Sequence, residues 1–124
     1  MPLIRIDLDR ELYDEKHELI SSEIHQAQIE ALNIPVGDKY QIFLPHDKSE
    51  LKFDPTYGGV DRHSLIVIQI TMVHLYSVRT KAALYCAIIT RLADLGIRPD
   101  DVLISVVENG YEDWHAGPVT QDSP

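Results

Sequence analysis

The sequence is poor in cysteine, in basic residues and in long apolar runs. Its one cysteine, Cys86, excludes an intramolecular disulfide framework and is typical of a protein from a reducing compartment. Eleven Lys and Arg residues stand against 20 Asp and Glu residues, and the resulting net charge of −9 disfavours nucleic acids and anionic membranes as partners. The most apolar run, from Leu65 to Val73, is far too short to span a bilayer.

The amino-terminal segment has no features of a secretory signal peptide. Charged residues interrupt its first ten positions, at Arg5, Asp7, Asp9 and Arg10. The remaining composition, 44% hydrophobic and 25% charged, is that of a globular protein. We therefore expect one cytoplasmic domain that occupies all of residues 1–124, since 124 residues are the size of a single domain.

Apolar periodicity predicts strands and helices in the order β-α-β, twice. Alternation predicts strands at 3–8 and 40–44, and continuous apolar character predicts strands at 65–73 and 102–107. Helices are predicted from about residue 10 to Pro35 and from Val78 to Leu95, the second with a core-facing stripe of Ala82, Cys86, Ile89 and Leu92. Residues 45–64 form a long polar connection, a kind of segment that is often functional.

The two halves of the chain match at a constant offset of 63 residues. Leu3 corresponds to Ile66, Leu32 to Leu95 and Asp38 to Asp101. The sequence therefore predicts an α+β fold: a duplicated β-α-β unit that forms a four-stranded sheet with two helices on one face. The strand at 65–73 is apolar on both sides, which indicates that another copy of the chain covers the second face.

Pro2 is the first candidate for chemistry. Removal of Met1 would expose a secondary amine, which is an effective general base when burial keeps it neutral, and a nucleophile towards carbonyl groups. Many proteins begin with Met-Pro for no chemical reason, so the dipeptide alone decides little. The histidines show no spacing typical of a metal site, and we expect no bound metal.

Several stretches resemble one known family. They are Met-Pro-Leu-Ile-Arg-Ile-Asp-Leu at 1–8, Ile-Pro-Val-Gly-Asp-Lys-Tyr-Gln at 34–41, Ile-Arg-Pro-Asp-Asp-Val at 97–102, and Val-Glu-Asn at 107–109 followed by Asp113 and Trp114. Together they resemble the tautomerase superfamily, and within it the malonate semialdehyde decarboxylase branch. The resemblance implies a β-α-β-β-α-β fold, a homotrimer, and catalysis by an amino-terminal proline without a cofactor.

The resemblance also implies roles for individual residues. Asp38 matches the family aspartate that cooperates with the proline, although Gly-Asp is also ordinary turn chemistry. Trp114 matches a tryptophan of the pocket wall, and a tryptophan near a chain end also serves as a packing anchor. His25 matches a helical histidine of related proteins. It is a candidate for contact with a substrate carboxylate or, equally, for a hydrogen bond within a subunit interface.

Two positions depart from the family pattern. The decarboxylase branch binds the substrate carboxylate with two arginines after its third strand, and His74 and Tyr76 occupy those positions here. An arginine fork is permanently charged and bidentate, whereas histidine is charged only when protonated. Arg79 follows shortly after and is a possible substitute. We therefore expect carboxylate binding to be weaker than in the decarboxylases.

The sequence predicts an enzyme that moves a proton between carbon and oxygen of a small 2-oxo acid or related carbonyl compound, with Pro2 as the base. Hydratase or decarboxylase activity at the same site is a further expectation. One alternative is a malonate semialdehyde decarboxylase-like enzyme. Another is a non-catalytic trimeric binding protein that kept the fold, which the missing arginines favour and the retained Pro2 and Asp38 oppose.

Overall fold

The computed structural model describes residues 2–118 and contains the predicted duplicated unit. Met1, whose removal the chemistry of Pro2 requires, lies outside the described residues. The strands and main helices are, in chain order, β1 (Leu3–Asp9), α1 (Arg10–Leu32), β2 (Gln41–His46), β3 (Ile66–Val73), α2 (Val78–Ala93) and β4 (Val102–Asn109). β1 and β3 begin at Leu3 and Ile66, which are the two residues related by the 63-residue offset.

The sheet is mixed and has the strand order β2-β1-β3-β4. β1 is parallel to β2, β3 is parallel to β4, and β1 and β3 are antiparallel neighbours at the centre. β1 and β2 therefore begin at the same end of the sheet at which β3 and β4 finish. We call this the Pro2 end, and we call the opposite end, where β3 and β4 begin, the far end.

The core lies between one face of the sheet and the two helices. Even-numbered residues of β1 and β3, such as Ile6 and Ile68, are fully buried against α1 and α2. Asp9, the last residue of β1, caps α1: its side chain accepts a hydrogen bond from the Leu12 amide at 3.0 Å, a standard amino-terminal cap. The first strand thus passes directly into its helix.

The predicted stripe of α2 is wrong at two positions. Ala82 and Cys86 are exposed and Ile89 is half-buried, while Leu92 is buried as expected. The buried residues of the helix are Leu84, Ala87, Ile88 and Leu92. Small or apolar residues lie on every side of this helix, so the sequence pattern alone did not fix which side faces the sheet.

The second face of the sheet is uncovered in the single chain. It presents odd-numbered residues of β1, β3 and β4 and even-numbered residues of β2, and several large apolar side chains remain exposed there. Ile42 is 39% exposed, and Leu103 and Val107 are each 44% exposed. Polar residues such as Arg5 and Gln69 lie opposite each other between them. Within residues 2–118, no helix combines the length and the apolar character needed to cross a membrane.

Candidate active site

Pro2 is buried at the Pro2 end of the sheet. The next residue, Leu3, pairs with Thr71 of β3, so Pro2 lies beside the last residues of that strand. The amide of Ile4 donates a hydrogen bond to the carbonyl oxygen of Tyr40 at 3.0 Å. Residues 38–40, just before β2, are thereby held next to Pro2.

His25 supports the turn that carries Asp38. Its ring Nε2 lies 2.7 Å from the carbonyl oxygen of Val36, and the imidazole is buried on α1. Because a carbonyl accepts only, Nε2 carries the proton; Nδ1 is buried and has no hydrogen-bond partner among the described residues. The amide of Asp38 donates to the carbonyl of Pro35 at 3.0 Å. His25 therefore fixes the backbone two residues before Asp38, and its predicted contact with substrate stays a prediction.

Tyr76 lies on the loop between β3 and α2, within electrostatic range of Asp38. Its ring packs against the hydrophobic core and is half-buried. Burial raises the pKa of the Tyr76 phenol, and the nearby charge of Asp38 raises it further. The hydroxyl is therefore a neutral hydrogen-bond donor at physiological pH.

His74 takes part in a charge cluster rather than facing the pocket as an unpaired cation. Its Nδ1 lies 2.7 Å from Glu108 Oε2, while Lys81 Nζ lies 2.7 Å from Glu108 Oε1. The Lys81 and Glu108 side chains are 17% and 24% exposed, whereas the His74 side chain is 79% exposed. The hydrogen bond from Lys81 lowers the pKa of Glu108, and desolvation opposes it only partly. Glu108 is thus a stable carboxylate that holds both basic groups.

Trp114 lines a cavity at the Pro2 end of the sheet, and its predicted role in substrate binding stays a prediction. Its indole Nε1–H donates to Asn109 Oδ1 at 2.8 Å, which ties the ring to the last residue of β4. A cavity of about 190 Å³ lies there, lined by Leu3, Tyr40, Trp114, His115 and Ala116. Since Leu3 follows Pro2 in the chain and the Tyr40 carbonyl is bonded to the Ile4 amide, this cavity lies at the Pro2 end of the sheet.

Arg79 and the long connection lie apart from this cluster. Arg79 is exposed in the first turn of α2. The connection leaves β2 after His46 and enters β3 at Ile66, and both points are at the far end of the sheet. Within one chain, the structure therefore brings Pro2, Asp38, Tyr76 and Trp114 to one end, with His74 at its rim.

Comparisons with known proteins identify the family of the chain. A family model described as tautomerase enzyme matches residues 38–117. The chain is 36% identical over 119 residues to the probable tautomerase YusQ of Bacillus subtilis (strain 168), covering 94% of each chain. The chain belongs to the tautomerase family.

Solved structures of this family share the fold. The structure of FG41 malonate semialdehyde decarboxylase inhibited by 3-bromopropiolate has a TM-score of 0.89 at 33% identity, covering 95% of this chain and 91% of that chain. A fused 4-OT described as a symmetric trimer has a TM-score of 0.77 at 15% identity, covering 92% and 90%. At 15% identity, the likeness to the fused 4-OT shows a shared fold and nothing more.

Sequence reasoning missed two members of the site, Glu108 and Lys81. In β4, Val102, Ile104 and Val106 face the helices and pack against the core. Glu108 continues the same alternation, which places a carboxylate on the apolar side of the sheet. A charged residue in such a position requires a partner, and Lys81, one turn into the preceding helix α2, was the available signal.

Proposed function

We propose that this protein is a cofactor-independent tautomerase in which Pro2, once Met1 is removed, acts as a general base on a small 2-oxo acid or related carbonyl compound. The observation that carries the proposal is the burial of Pro2 beside the Asp38 turn and a cavity of about 190 Å³. A free α-amino group titrates near pH 8 in water, at roughly 7.7 to 8.0. Burial disfavours its charged form, so the amine is neutral and basic at physiological pH.

The reaction is a proton transfer in two steps. The Pro2 nitrogen takes a proton from the carbon next to the carbonyl, and the electrons of that C–H bond form the enol double bond. The carbonyl oxygen becomes an enolate and accepts a proton from the protonated Pro2 amine, which returns the amine to its neutral form, so no atom is gained or lost. Asp38 favours the protonated amine that this step creates, because an opposite charge nearby stabilises it.

A homotrimer is part of the proposal, since the uncovered sheet face presents exposed Ile42, Leu103 and Val107. Sedimentation should show a species of three chains. Val107→Lys places a charge on this face and should yield monomers, whereas Ser22→Lys, on the exposed side of α1, should leave the trimer intact. A stable monomer of the unaltered protein would contradict the assembly.

A decarboxylase-like activity is the second candidate, and the likeness to FG41 malonate semialdehyde decarboxylase favours it. There a protonated Pro2 would polarise the oxygen of a 3-oxo acid while the carboxylate leaves as carbon dioxide. The replacement of two arginines by His74 and Tyr76 weighs against this reaction, because the leaving carboxylate needs to be held. A binding protein without catalysis would show neither activity.

The test is a screen of enols and 3-oxo acids with purified protein and with Pro2→Ala. Ultraviolet absorbance follows ketonisation of the enol, and release of carbon dioxide reports decarboxylation. We expect Pro2-dependent ketonisation to be the faster reaction. Intact mass spectrometry should show that the active sample lacks Met1, because a Pro2 joined to Met1 is an amide without a basic nitrogen. A fully active sample that retains Met1 would refute the mechanism.

A further inference from the structure

We infer that helix α1 sets the position of Asp38 through two polar anchors, which makes His25 and Gln41 positioning residues for the proton transfer. The anchors hold residues 36–41, which we call the Asp38 segment, on both sides of the aspartate. This inference rests on the proposed function, because both residues act through the proposed Asp38. Neither of them touches the substrate.

The first anchor joins α1 to the turn before Asp38. The protonated Nε2 of His25 donates to the carbonyl oxygen of Val36 at 2.7 Å. Within the turn, the amide of Lys39 donates to the carbonyl oxygen of Gly37 at 2.9 Å. The turn is therefore folded on itself by backbone hydrogen bonds and is tied to the helix by one side chain.

The second anchor joins α1 to the first residue of β2. The Ser21 hydroxyl donates to Gln41 Oε1 at 2.6 Å, and Gln41 Nε2 donates to the carbonyl oxygen of Ser21 at 3.0 Å. Ser21 and His25 are four residues apart, so they lie one turn apart on the same side of the helix. Because Gln41 follows Asp38 by three residues, the aspartate lies between the two anchors.

Packing leaves the Asp38 segment largely exposed. Residues 35–37 and 39–40 are exposed, and Asp38 is half-buried. A misplacement of about 1 Å at a reacting group is enough to lower a rate by about 10²-fold. The hydrogen bonds from α1 therefore restrain a segment whose position matters for the chemistry and which the core does not enclose.

The equivalent positions in the second half of the chain are apolar. The offset of 63 residues applies after both helices, since Asn33 and Gly96 each have a positive φ, of 56° and 85°. Ser21, His25 and Gln41 then correspond to three apolar residues, Leu84, Ile88 and Ile104. The first two of these are fully buried, and the third packs against the core. The same architecture is therefore built there without any of these hydrogen bonds.

His25 is also a poor choice for packing alone. Its Nδ1 is buried without a hydrogen-bond partner in the part of the chain that the structure describes, and such an atom is destabilising. Val36 is exposed, so water can replace the imidazole at its carbonyl. A leucine at position 25 should thus be tolerated by the fold. Residues that break a packing rule in this way are typical of functional sites.

Four variants test the anchors. His25→Leu removes the first anchor, and His25→Gln should restore it, because the glutamine amide offers an N–H in place of Nε2–H. The matched control is His17→Leu, since His17 Nδ1 lies 2.8 Å from the Tyr13 carbonyl oxygen within α1 itself. Gln41→Met removes both hydrogen bonds of the second anchor and keeps a side chain of similar length.

Ketonisation of the enol of phenylpyruvate, followed by ultraviolet absorbance, gives kcat and KM. We expect His25→Leu to lower kcat by roughly tenfold or more with little change in KM, and we expect an unchanged urea midpoint. His25→Gln should keep most of kcat, and His17→Leu should match the unaltered protein. Gln41→Met should have a smaller effect than His25→Leu, because backbone pairing with β1 also holds that residue.

Dependence on Asp38 separates positioning from a general structural role. In an Asp38→Asn background, His25→Leu should lower kcat no further, since the two residues act as one unit and their effects are not additive. A further loss of kcat in that background would overturn the inference. A rise in KM in both backgrounds would overturn it as well, because it would place His25 in contact with the substrate.

Hydrogen exchange gives a measurement that needs no turnover. The amides of Asp38 and Lys39 should exchange several-fold faster in His25→Leu and at the original rate in His17→Leu. Unchanged exchange in His25→Leu would overturn the first anchor, and faster exchange with unchanged kcat would overturn the positioning role while Pro2-dependent turnover stands. If the unaltered protein has no Pro2-dependent turnover, the tautomerase proposal is refuted, and faster exchange in His25→Leu would then support the anchor alone.

Discussion

The two ends of the sheet have the same architecture and different contents. The 63-residue offset relates Pro2 to Leu65 and Asp38 to Asp101, so each end presents a strand start beside a turn aspartate. Each end also has a cavity, of about 190 Å³ at the Pro2 end and about 230 Å³ at the far end, the latter lined in part by Asp9, Ser64 and Leu65. Cavity size therefore does not distinguish the site from its structural counterpart.

The difference lies in what the aspartate and the strand start can do. Asp101 is 5% exposed, and its Oδ1 accepts hydrogen bonds from the amides of His63 and Ser64 at 2.7 and 3.2 Å. It closes the long connection onto the start of β3. The nitrogen of Leu65 is an internal amide and is never basic, whereas that of Pro2 becomes an amine when Met1 is removed. The duplication thus supplies two similar ends, and of the two strand starts only Pro2 can offer a basic backbone nitrogen.

The strongest test of this difference makes the same kind of substitution, to alanine, at the strand start of each end. Pro2→Ala should lower kcat/KM by roughly 10²-fold or more, because it alters the proposed base, with little change in the free energy of unfolding. Leu65→Ala should lower that free energy by about 2 to 5 kcal/mol, because it empties a buried site, with kcat retained by the folded fraction. Steady-state kinetics and urea unfolding of both variants are the measurements.

A loss of activity in Leu65→Ala that exceeds its unfolded fraction would show that the far end takes part in the chemistry. Full activity in Pro2→Ala would remove the proline from the mechanism.

The two aspartates provide the next comparison. Asp38→Asn should lower kcat by roughly 10²-fold, at the lower end of what a positioned acid–base group contributes. Asp101→Asn should lower the free energy of unfolding by about 1 kcal/mol, because a charged acceptor of two amide hydrogen bonds becomes a neutral one. The same kinetic and unfolding measurements apply, and equal effects of the two variants on kcat would contradict the division of roles.

The sequence revealed the duplication because strand starts recur at a fixed offset, and local periodicity is enough to place them. The link between Pro2 and Asp38 came from the family resemblance, not from periodicity; in the structure the parallel strands β1 and β2 begin at the same end of the sheet, so both residues lie there. The sequence did not reveal that His74 is bound to Glu108, because this contact joins residues 34 positions apart across two strands. The side of α2 that faces the sheet was predicted wrongly for a similar reason. Apolar residues lie all around this helix, and only its packing in the folded protein determines which of them are buried.

Each end of the sheet also has a histidine–carboxylate pair, and the two pairs should affect the pH dependence of stability differently. The pair at the Pro2 end should affect stability in acid. The hydrogen bond from Lys81 lowers the pKa of Glu108 in the folded protein. Its contribution to stability is therefore complete above the ordinary glutamate value of about 4.3 and is lost as the pH falls through the lowered value. Glu108→Gln should flatten the acid side of a urea-midpoint profile, while Glu112→Gln should leave its shape unchanged.

The histidine–carboxylate pair at the far end should affect stability at alkaline pH, and this is the smallest effect that we expect. His46 Nε2 lies 2.7 Å from Asp7 Oδ1, and this hydrogen bond raises the pKa of His46 in the folded protein. The contribution to stability is complete below the ordinary histidine value of about 6.5 and is lost as the pH rises through the raised value. Asp7→Asn should reduce the fall of the urea midpoint between about pH 6 and pH 9, and Asp14→Asn, on the exposed side of α1, should not.

Because Asp7 lies on the uncovered sheet face, the midpoints should be measured at two protein concentrations. A fall that depends on concentration and is unchanged in Asp7→Asn would assign the alkaline response to subunit dissociation instead.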